Sequence, residues 1–308
     1  MATELRVSAA EDEGPTKPRI ALLGAARVAI LGVDFTSAPC ARKPIIVARG
    51  RVVPGAYQLD AIDALADWSS FERLLAAPGP WICGFDFPFG LPRHGVRELG
   101  WPQDWGALAR HCAAMGRAEF RAAIDAYRST RPMGDKYPHR ATDHPAGSHS
   151  PIKLVNPPVG LMFREGAARL AAADLTIPGI RAGDPDRIAV EAYPGLIARA
   201  ITRASYKADE AGKQTAERHR ARGAIIRQLA RGGTPLGLRL DGARGLLRSL
   251  ADDATGDRLD AVLAAMQAAW SWRRRGHNFG LPRDIDPIEG WIATARVVQR
   301  AHARRGPR

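Results

Sequence analysis

Three short apolar runs along the chain each end in an acidic residue. The runs and their terminal acids are residues 28–33 with Asp34, residues 81–85 with Asp86, and residues 188–190 with Glu191. Apolar runs of this length without a helical period are typical of buried strands. Pro88 and Pro92 cannot donate to a strand ladder, so the second strand must stop at Asp86. The pattern predicts three buried strands whose acids share one site.

The chain between the first two acids begins with an antiparallel pattern. Residues 44–53 favour a β-hairpin around the turn residues Arg49 and Gly50, and residues 57–59 continue its second arm. Glycine at such a position is typical of a tight turn. We therefore expect the sheet to open with an antiparallel segment.

A helix is predicted between this hairpin and the second acidic strand. Ser69 and Glu72 have the spacing of a capping box at its start, and a Pro-Gly-Pro sequence follows its end. Two strands joined by a crossover helix in one sheet are parallel, with a right-handed connection. If the strands are neighbours, Asp34 and Asp86 lie at the same edge of the sheet, where open α/β sheets bind ligands.

Helical periodicity recurs through the second half of the chain. It predicts helices at residues 103–128, 161–173, 195–204, 217–231 and 243–250. Between the first two lies a segment of residues 130–160 that is rich in Pro, His and Gly. A loop of this length within a compact domain is normally functional or disordered. We expect it to pass over the site, with a packed surface loop of local turns as the alternative.

The last predicted helix starts at Asp257. Its apolar residues form one stripe, most of the remainder is Ala, and such a helix can pack closely on both sides. Asp257 and Asp260, three residues apart, share a face at its N-terminal end. This helix is therefore a further source of carboxylates for the predicted site.

Composition sets the scale of the domain. The 308 residues are 45% hydrophobic, enough for one large α/β domain with a sizeable core. We predict a disordered lead-in at residues 1–19, a single domain at residues 20–295 with an insertion at about 95–180, and a basic tail at residues 296–308. The sequence has no apolar run of about 18 residues, so it predicts no transmembrane helix.

The charge and the cysteines bear on partner and compartment. A formal net charge of +13 suits a polyanionic partner. However, most basic residues are Arg in a chain rich in Ala, Gly and Pro, which is also what a GC-rich genome produces, so charge alone leaves nucleic-acid binding open. Cys40, Cys83 and Cys112 lack zinc-site spacing, and reduced thiols in a cytoplasmic protein are the expectation.

The clustered acids favour a metal site. Two carboxylates 4 Å apart repel by about 4 kcal/mol at an effective dielectric near 20, so a partly buried group of four requires a cation or protonation. Carboxylate oxygens are hard ligands, which suits Mg²⁺ or Mn²⁺. Taken singly, Asp34 or Glu191 could be a strand-end acid bonded to backbone amides, and Asp257 could belong to a helix cap. Their joint placement favours a shared cation.

Five segments carry a family resemblance. In chain order they are Gly32-Val33-Asp34-Phe35-Thr36-Ser37-Ala38-Pro39, Gly84-Phe85-Asp86-Phe87-Pro88-Phe89-Gly90-Leu91-Pro92, Arg140-Ala141-Thr142-Asp143, Val190-Glu191-Ala192-Tyr193-Pro194, and Asp257-x-x-Asp260-Ala261. This order resembles the predicted RNase H-like nucleases known as domain of unknown function 429. The resemblance implies an RNase H-like α/β fold, with an antiparallel meander of strands 1–3, strands 4 and 5 parallel to strand 1, and helices on both faces. It also implies a helical and loop insertion after strand 4.

The resemblance also implies roles for individual acids. RuvC-type resolvases of the wider superfamily place acids at the end of strand one, on strand four and near the start of a C-terminal helix. Here the corresponding catalytic and metal-binding residues are Asp34, Asp86, Asp257 and Asp260. Glu191 has no counterpart in that scheme and could instead orient a basic residue. Additional candidates are Asp143 and two possible phosphate contacts or solvated surface charges, Arg140 and Lys207.

Three functions follow as hypotheses. The leading one is a nuclease that uses Mg²⁺ or Mn²⁺ to hydrolyse phosphodiester bonds in nucleic acid. The second is a non-catalytic nucleic-acid-binding or scaffolding protein that kept the fold. The third is an ATP-dependent phosphotransferase of the actin-like type, which is disfavoured because Phe35 and Phe87 follow the acids where phosphate loops need Gly. The oligomeric state stays open.

Overall fold

A computed structural model describes residues 28–299 of the chain. The predicted lead-in at residues 1–19 and the end of the tail, residues 300–308, lie outside this range. The described residues form a mixed seven-stranded sheet in the order β5-β6-β4-β1-β2-β3-β7. Its strands are β1 Ala29–Asp34, β2 Ile45–Val53, β3 Ala56–Leu65, β4 Trp81–Asp86, β5 Leu175–Thr176, β6 Asp184–Glu191 and β7 Arg239–Gly242.

The three predicted acidic strands are neighbours at the centre of the sheet. β1 pairs with β4, and β4 pairs with β6, in parallel. The apolar residues of these strands are buried on both faces, as expected for parallel strands covered by helices on both sides. The prediction of three buried strands that end in Asp34, Asp86 and Glu191 is confirmed.

The antiparallel start is also confirmed, but the position of its turn was wrong. β2 pairs antiparallel with both β1 and β3. The chain reverses at Gly55, whose φ of +75° favours glycine, and not at Arg49 and Gly50. Those two residues lie inside β2 at a register shift. A Cβ atom on Gly50 would lie 2.1 Å from the Gln58 carbonyl oxygen, so this glycine serves close strand contact and not a turn.

Two edge strands were not predicted. β7 has four residues and pairs in parallel with β3, and β5 has two residues and pairs in parallel with β6. Segments this short carry too few residues to show an alternating pattern. They extend the sheet away from its acidic centre.

Ten α-helices surround the sheet within the described residues. They are α1 Trp68–Ala76, α2 Arg93–Glu98, α3 Trp105–Ala114, α4 Arg117–Ser129, α5 Asp143–Ala146, α6 Val159–Ala172, α7 Pro194–Ile201, α8 Ala216–Ala230, α9 Arg244–Asp252 and α10 Asp257–Trp272. None of them is long and apolar enough to cross a membrane. Cys40, Cys83 and Cys112 are free thiols, as predicted.

Two details of the helix predictions were wrong. α1 is capped by Asp67, whose carboxylate accepts hydrogen bonds from the Ser70 amide and the Ser69 hydroxyl, so Ser69 is not the N-cap of a capping box. The helix predicted at residues 103–128 is broken in two, because the backbone at Met115 is extended and Gly116 is the N-cap of α4. Periodicity persists across this break since both helices bury apolar faces.

Helices cover both faces of the sheet and form two cores. One core joins the sheet to α10, α7 and α8, and the other joins it to α1, α3, α4 and α6. α10 is the central helix of the first core, where Leu259, Met266 and Trp270 are all buried. The fold is therefore a mixed α/β architecture whose most buried helix lies directly on the most buried strands.

Candidate metal centre

The site begins with two acids in one register. Asp34 ends β1, Asp86 ends β4, and the two residues are paired neighbours across the parallel ladder. Parallel strands lie about 4.8 Å apart, so the backbone itself places these side chains together. Pro88 follows Asp86 and prevents the ladder from continuing.

Two glycines bring the last helix to the same edge. A Cβ atom on Gly32 would lie 2.1 Å from the Ala265 nitrogen, and one on Gly84 would lie 2.4 Å from the Ala264 carbonyl oxygen. Only glycine opposite alanine permits this close approach of α10 to β1 and β4. The N-terminal end of α10, with its acids, is thereby set beside the two strand ends.

Three of the predicted acids meet in one cluster. Asp34, Asp86 and Asp260 can each offer one carboxylate oxygen such that all three oxygens lie within 4.8 Å of one another. Asp260 is fully buried and Asp34 is 8% exposed, while Asp86 is half-buried. Oxygens at these separations can converge on one small cation.

Asp257 lies beside this group but is paired with a lysine. Its carboxylate accepts hydrogen bonds from Lys43 Nζ at 2.8 and 3.1 Å. The same ammonium also donates to Asp209 at 2.8 Å. Lys43 therefore joins the loop after β1 to α10 and to the segment that follows α7.

The two oxygens of Asp260 also have partners. The Tyr206 hydroxyl donates to one oxygen at 2.6 Å, and the Lys207 ammonium donates to the other. The Lys207 side chain is 47% exposed, although its ammonium group contacts the fully buried Asp260. In the metal-free chain, a lysine thus supplies positive charge next to the carboxylate cluster.

Burial and the excess of negative charge in the cluster raise the pKa values of two of its carboxyl groups. Burial raises the pKa of Asp34 well above its ordinary range, and repulsion from Asp257 and Asp260 adds to this. Burial, followed by repulsion from Asp260, raises the pKa of Asp86 to about 8. Lys207 opposes both shifts without cancelling them. The cluster therefore lacks positive charge, which a bound divalent cation would provide.

Glu191 and Arg140 form a separate buried network. The guanidinium donates to Glu191 at 2.7 and 2.9 Å, to Asp143 at 2.8 Å and to the Glu289 carbonyl oxygen at 2.9 Å. Arg140 is 2% exposed. Glu191 thus orients a basic residue, which is the alternative that the sequence left open. The donors of Arg140 are directed at protein oxygens, so they hold the loop of residues 130–160 onto the end of β6.

An open cavity of about 670 Å³ lies in front of the carboxylates. Asp34, Asp86 and Asp257 line it, together with Lys43 and Lys207. The loop of residues 130–160 also contributes lining residues, in agreement with the expectation that it passes over the site. The cavity thus joins a carboxylate cluster to basic side chains, a combination suited to an anionic ligand with a metal ion.

Sequence reasoning missed several partners in the site. Lys43, Asp209 and Tyr206 were not singled out as site residues. All three come from loops or from segments distant in sequence, so no spacing links them to the acids. The only local signal was the adjacency of Tyr206 to Lys207.

Comparison with models of known protein families assigns the chain to one family. A family model described as "Protein of unknown function (DUF429)" matches residues 32–285. The chain belongs to the DUF429 family. The match includes all four aspartates of the candidate centre as well as Arg140, Asp143 and Glu191 of this DUF429 protein. Searches of curated proteins and of solved structures return no match.

Proposed function

We propose that this DUF429 protein is a divalent-metal-dependent nuclease built on an RNase H-like fold. The observation that carries the proposal is the convergence of Asp34, Asp86 and Asp260 from two parallel strands and a buried helix. Carboxylates that are costly to gather in a metal-free chain, as their raised pKa values indicate, are typical of functional sites.

The donor set fits Mg²⁺ or Mn²⁺. The cluster offers carboxylate oxygens, which are hard ligands, and its three members contain neither Cys nor His. Asp34, Asp86 and Asp260 would hold the ion, and the charge of the neighbouring Asp257 acts on Asp34. A divalent ion bound there supplies activation of water and charge neutralisation at the leaving oxygen of a phosphodiester.

The protein's own cations would act on the substrate. Lys207 reaches the cluster from a half-exposed position and pairs with Asp260, and Lys43 pairs with Asp257. Phosphate oxygens placed near the carboxylates would meet one or both of these ammonium groups. Such contacts fix the position of a phosphate and stabilise negative charge that develops during its hydrolysis.

The topology supports the RNase H-like assignment. The antiparallel meander β1-β2-β3, followed by β4 parallel to β1 and β6 parallel to β4, has the order that the family resemblance implies. The positions after the two strand acids argue against a phosphotransferase, because Phe35 and Phe87 are buried there with ring centroids 4.5 Å apart. A phosphate loop needs glycine and exposed backbone amides at that point.

A nucleic-acid substrate is supported by charge. The chain carries a net +13, and Arg199 and Arg203 line the cavity beyond the two lysines. Basic side chains around a phosphate-sized site attract polyanions and release their counterions. A non-catalytic binding protein would share this charge, so metal-dependent cleavage is the property that separates the two functions.

The test is cleavage by the purified chain in Mn²⁺. Single-stranded, duplex, hybrid and branched substrates are incubated with the wild type and with Asp86→Asn. The proposal expects cleavage of at least one substrate by the wild type and a large loss in the variant. Salt-dependent binding without cleavage, equal in both proteins, would instead support the scaffolding function.

A further inference from the structure

We propose that the substrate of this site is an unpaired strand or a short phosphodiester, of which one or two nucleotides enter the cavity, and that intact duplex is excluded. The inference rests on the proposed nuclease activity and specifies the substrate class. It follows from where the carboxylates lie, from what surrounds them and from the size of the space in front of them.

Three of the four carboxylates are recessed, and the fourth, Asp86, is half-buried. Asp260 is 0% exposed, and Asp34 and Asp257 are each 8% exposed. A phosphodiester must therefore enter the cavity to reach them.

Segments from different parts of the chain form the walls. One wall is the loop after β1, which Lys43 ties across the site to Asp257 and Asp209. A second wall is the start of α6, with Val159 and Met162, and a third is the segment that begins at Tyr193 and continues past α7. The carboxylates therefore face a space that segments from several parts of the chain line.

The size of the space matches a small ligand. At about 670 Å³ the cavity falls within the range of about 300–1,000 Å³ that encloses drug-sized molecules, which is also the scale of a mononucleotide or dinucleotide. A duplex is stiff over about 150 base pairs and cannot fold a single phosphate into such a recess. A flexible single strand or a free end can do so.

The lining offers contacts that an unpaired nucleotide can use. Tyr193 presents an aromatic ring, with the Arg199 guanidinium 5.0 Å from its centroid, and Met162 presents a polarisable thioether on another wall. Bases stack on aromatic rings with little sequence preference. Arg203 is exposed and has no ion pair among residues 28–299, so it is available to a flanking phosphate.

The experiment compares three substrates in Mn²⁺ with the full chain and with Asp34→Asn. They are a dinucleotide, a single-stranded oligonucleotide and a covalently closed duplex circle of mixed sequence. The inference expects cleavage of the first two, loss of that cleavage in Asp34→Asn, and an intact circle. Cleavage of the circle at a rate equal to the single strand would overturn the inference while the nuclease function stands. Failure to cleave any substrate and to bind Mn²⁺ would overturn both.

Substitutions of two residues that line the cavity, Met162 and Arg203, test whether the substrate enters it. Met162→Trp fills the cavity and should lower dinucleotide cleavage by about tenfold or more, while Met133→Trp, at an exposed position outside the cavity lining, should leave it unchanged. Mn²⁺ affinity and melting temperature serve as checks on folding. Arg203→Gln, at an exposed position, should weaken single-strand binding and lower the slope of log affinity against log salt by about 0.7. Equal activity of Met162→Trp and Met133→Trp together with an unchanged Arg203→Gln slope would contradict the proposal.

Discussion

Asp34 and Asp86 are register partners at the ends of the adjacent parallel strands β1 and β4. Their proximity is therefore a property of the sheet and does not depend on the conformation of a loop. Side chains at paired positions of neighbouring strands point to the same face, about 5 Å apart. Because the strand register fixes their positions, the two carboxylates could bind a cation without a rearrangement of the backbone.

The raised pKa of Asp86 predicts how the stability of the metal-free protein depends on pH. Its pKa is about 8 in the folded chain against an ordinary value of 3.8. The folded state thus holds this proton more tightly than the unfolded state, so the associated stability is present below about pH 4 and is lost as the pH rises towards 8.

Thermal melting in EDTA between pH 5 and 8.5 measures this effect. The melting temperature should fall with rising pH in the wild type and fall less in Asp86→Asn, with about 2–4 °C for each kcal/mol lost in a domain of this size. Addition of Mn²⁺ should reverse the loss in the wild type. Parallel pH profiles of the two proteins would show that Asp86 is not the group responsible.

Lys207 is expected to compete with a metal ion. Its ammonium donates to Asp260 and attracts Asp34 and Asp86, so it opposes the entry of another cation. Lys207→Gln should bind Mn²⁺ roughly tenfold more tightly, because a nearby like charge is removed. Lys213→Gln is the matched control, since Lys213 pairs with Glu210 at the surface of the same segment. Unchanged or weaker Mn²⁺ binding by Lys207→Gln in calorimetry would count against this competition.

Gly32 is expected to control the placement of α10. In Gly32→Ala the new methyl would meet the backbone of Ala265, so the helix must shift away from β1 and carry Asp260 with it. We expect a loss of about 1–3 kcal/mol in the free energy of unfolding and weaker Mn²⁺ binding. Gly245→Ala, in α9 with nothing near its Cβ position, should instead be neutral or stabilising by up to about 1 kcal/mol. Urea denaturation compares the two, and equal stabilities would refute the close-packing argument.

Arg140 is expected to be essential for stability. Arg140→Met would leave Glu191 and Asp143 as buried carboxylates without their cation, at a cost of about 3–5 kcal/mol. Arg73→Met, which removes an exposed arginine from α1, should cost little. Limited proteolysis should also cut the loop of residues 130–160 faster in Arg140→Met. A variant as stable and as resistant as the wild type would show that the network is dispensable.

The central strands and the last helix of the fold could be predicted because local sequence patterns mark them. The strand ends at Asp34, Asp86 and Glu191 are marked by apolar runs, and the approach of α10 is marked by its alanines. Parallel pairing then brings the acids to one edge by geometry alone. The antiparallel start was predicted for the same reason.

Other features depend on contacts between distant residues and have no local signature. Lys43 meets Asp257 across 214 residues, and Arg140 meets Glu191 across 51. Gly50 resembled a turn residue because the sequence does not reveal that its Cβ position is occupied by the neighbouring strand. The N-cap of α1 was misplaced because Asp67 and Ser69 are both suitable cap residues and only the backbone conformation distinguishes them.

The most direct test of the metal centre is calorimetric titration of the metal-free protein with Mn²⁺. The account predicts saturable binding by the wild type, a large loss in each of Asp34→Asn, Asp86→Asn and Asp260→Asn, and unchanged binding in Asp60→Asn, which alters an acid in a surface ion pair with Arg51. Binding that is absent from the wild type, or equal in the wild type and Asp34→Asn, would contradict it.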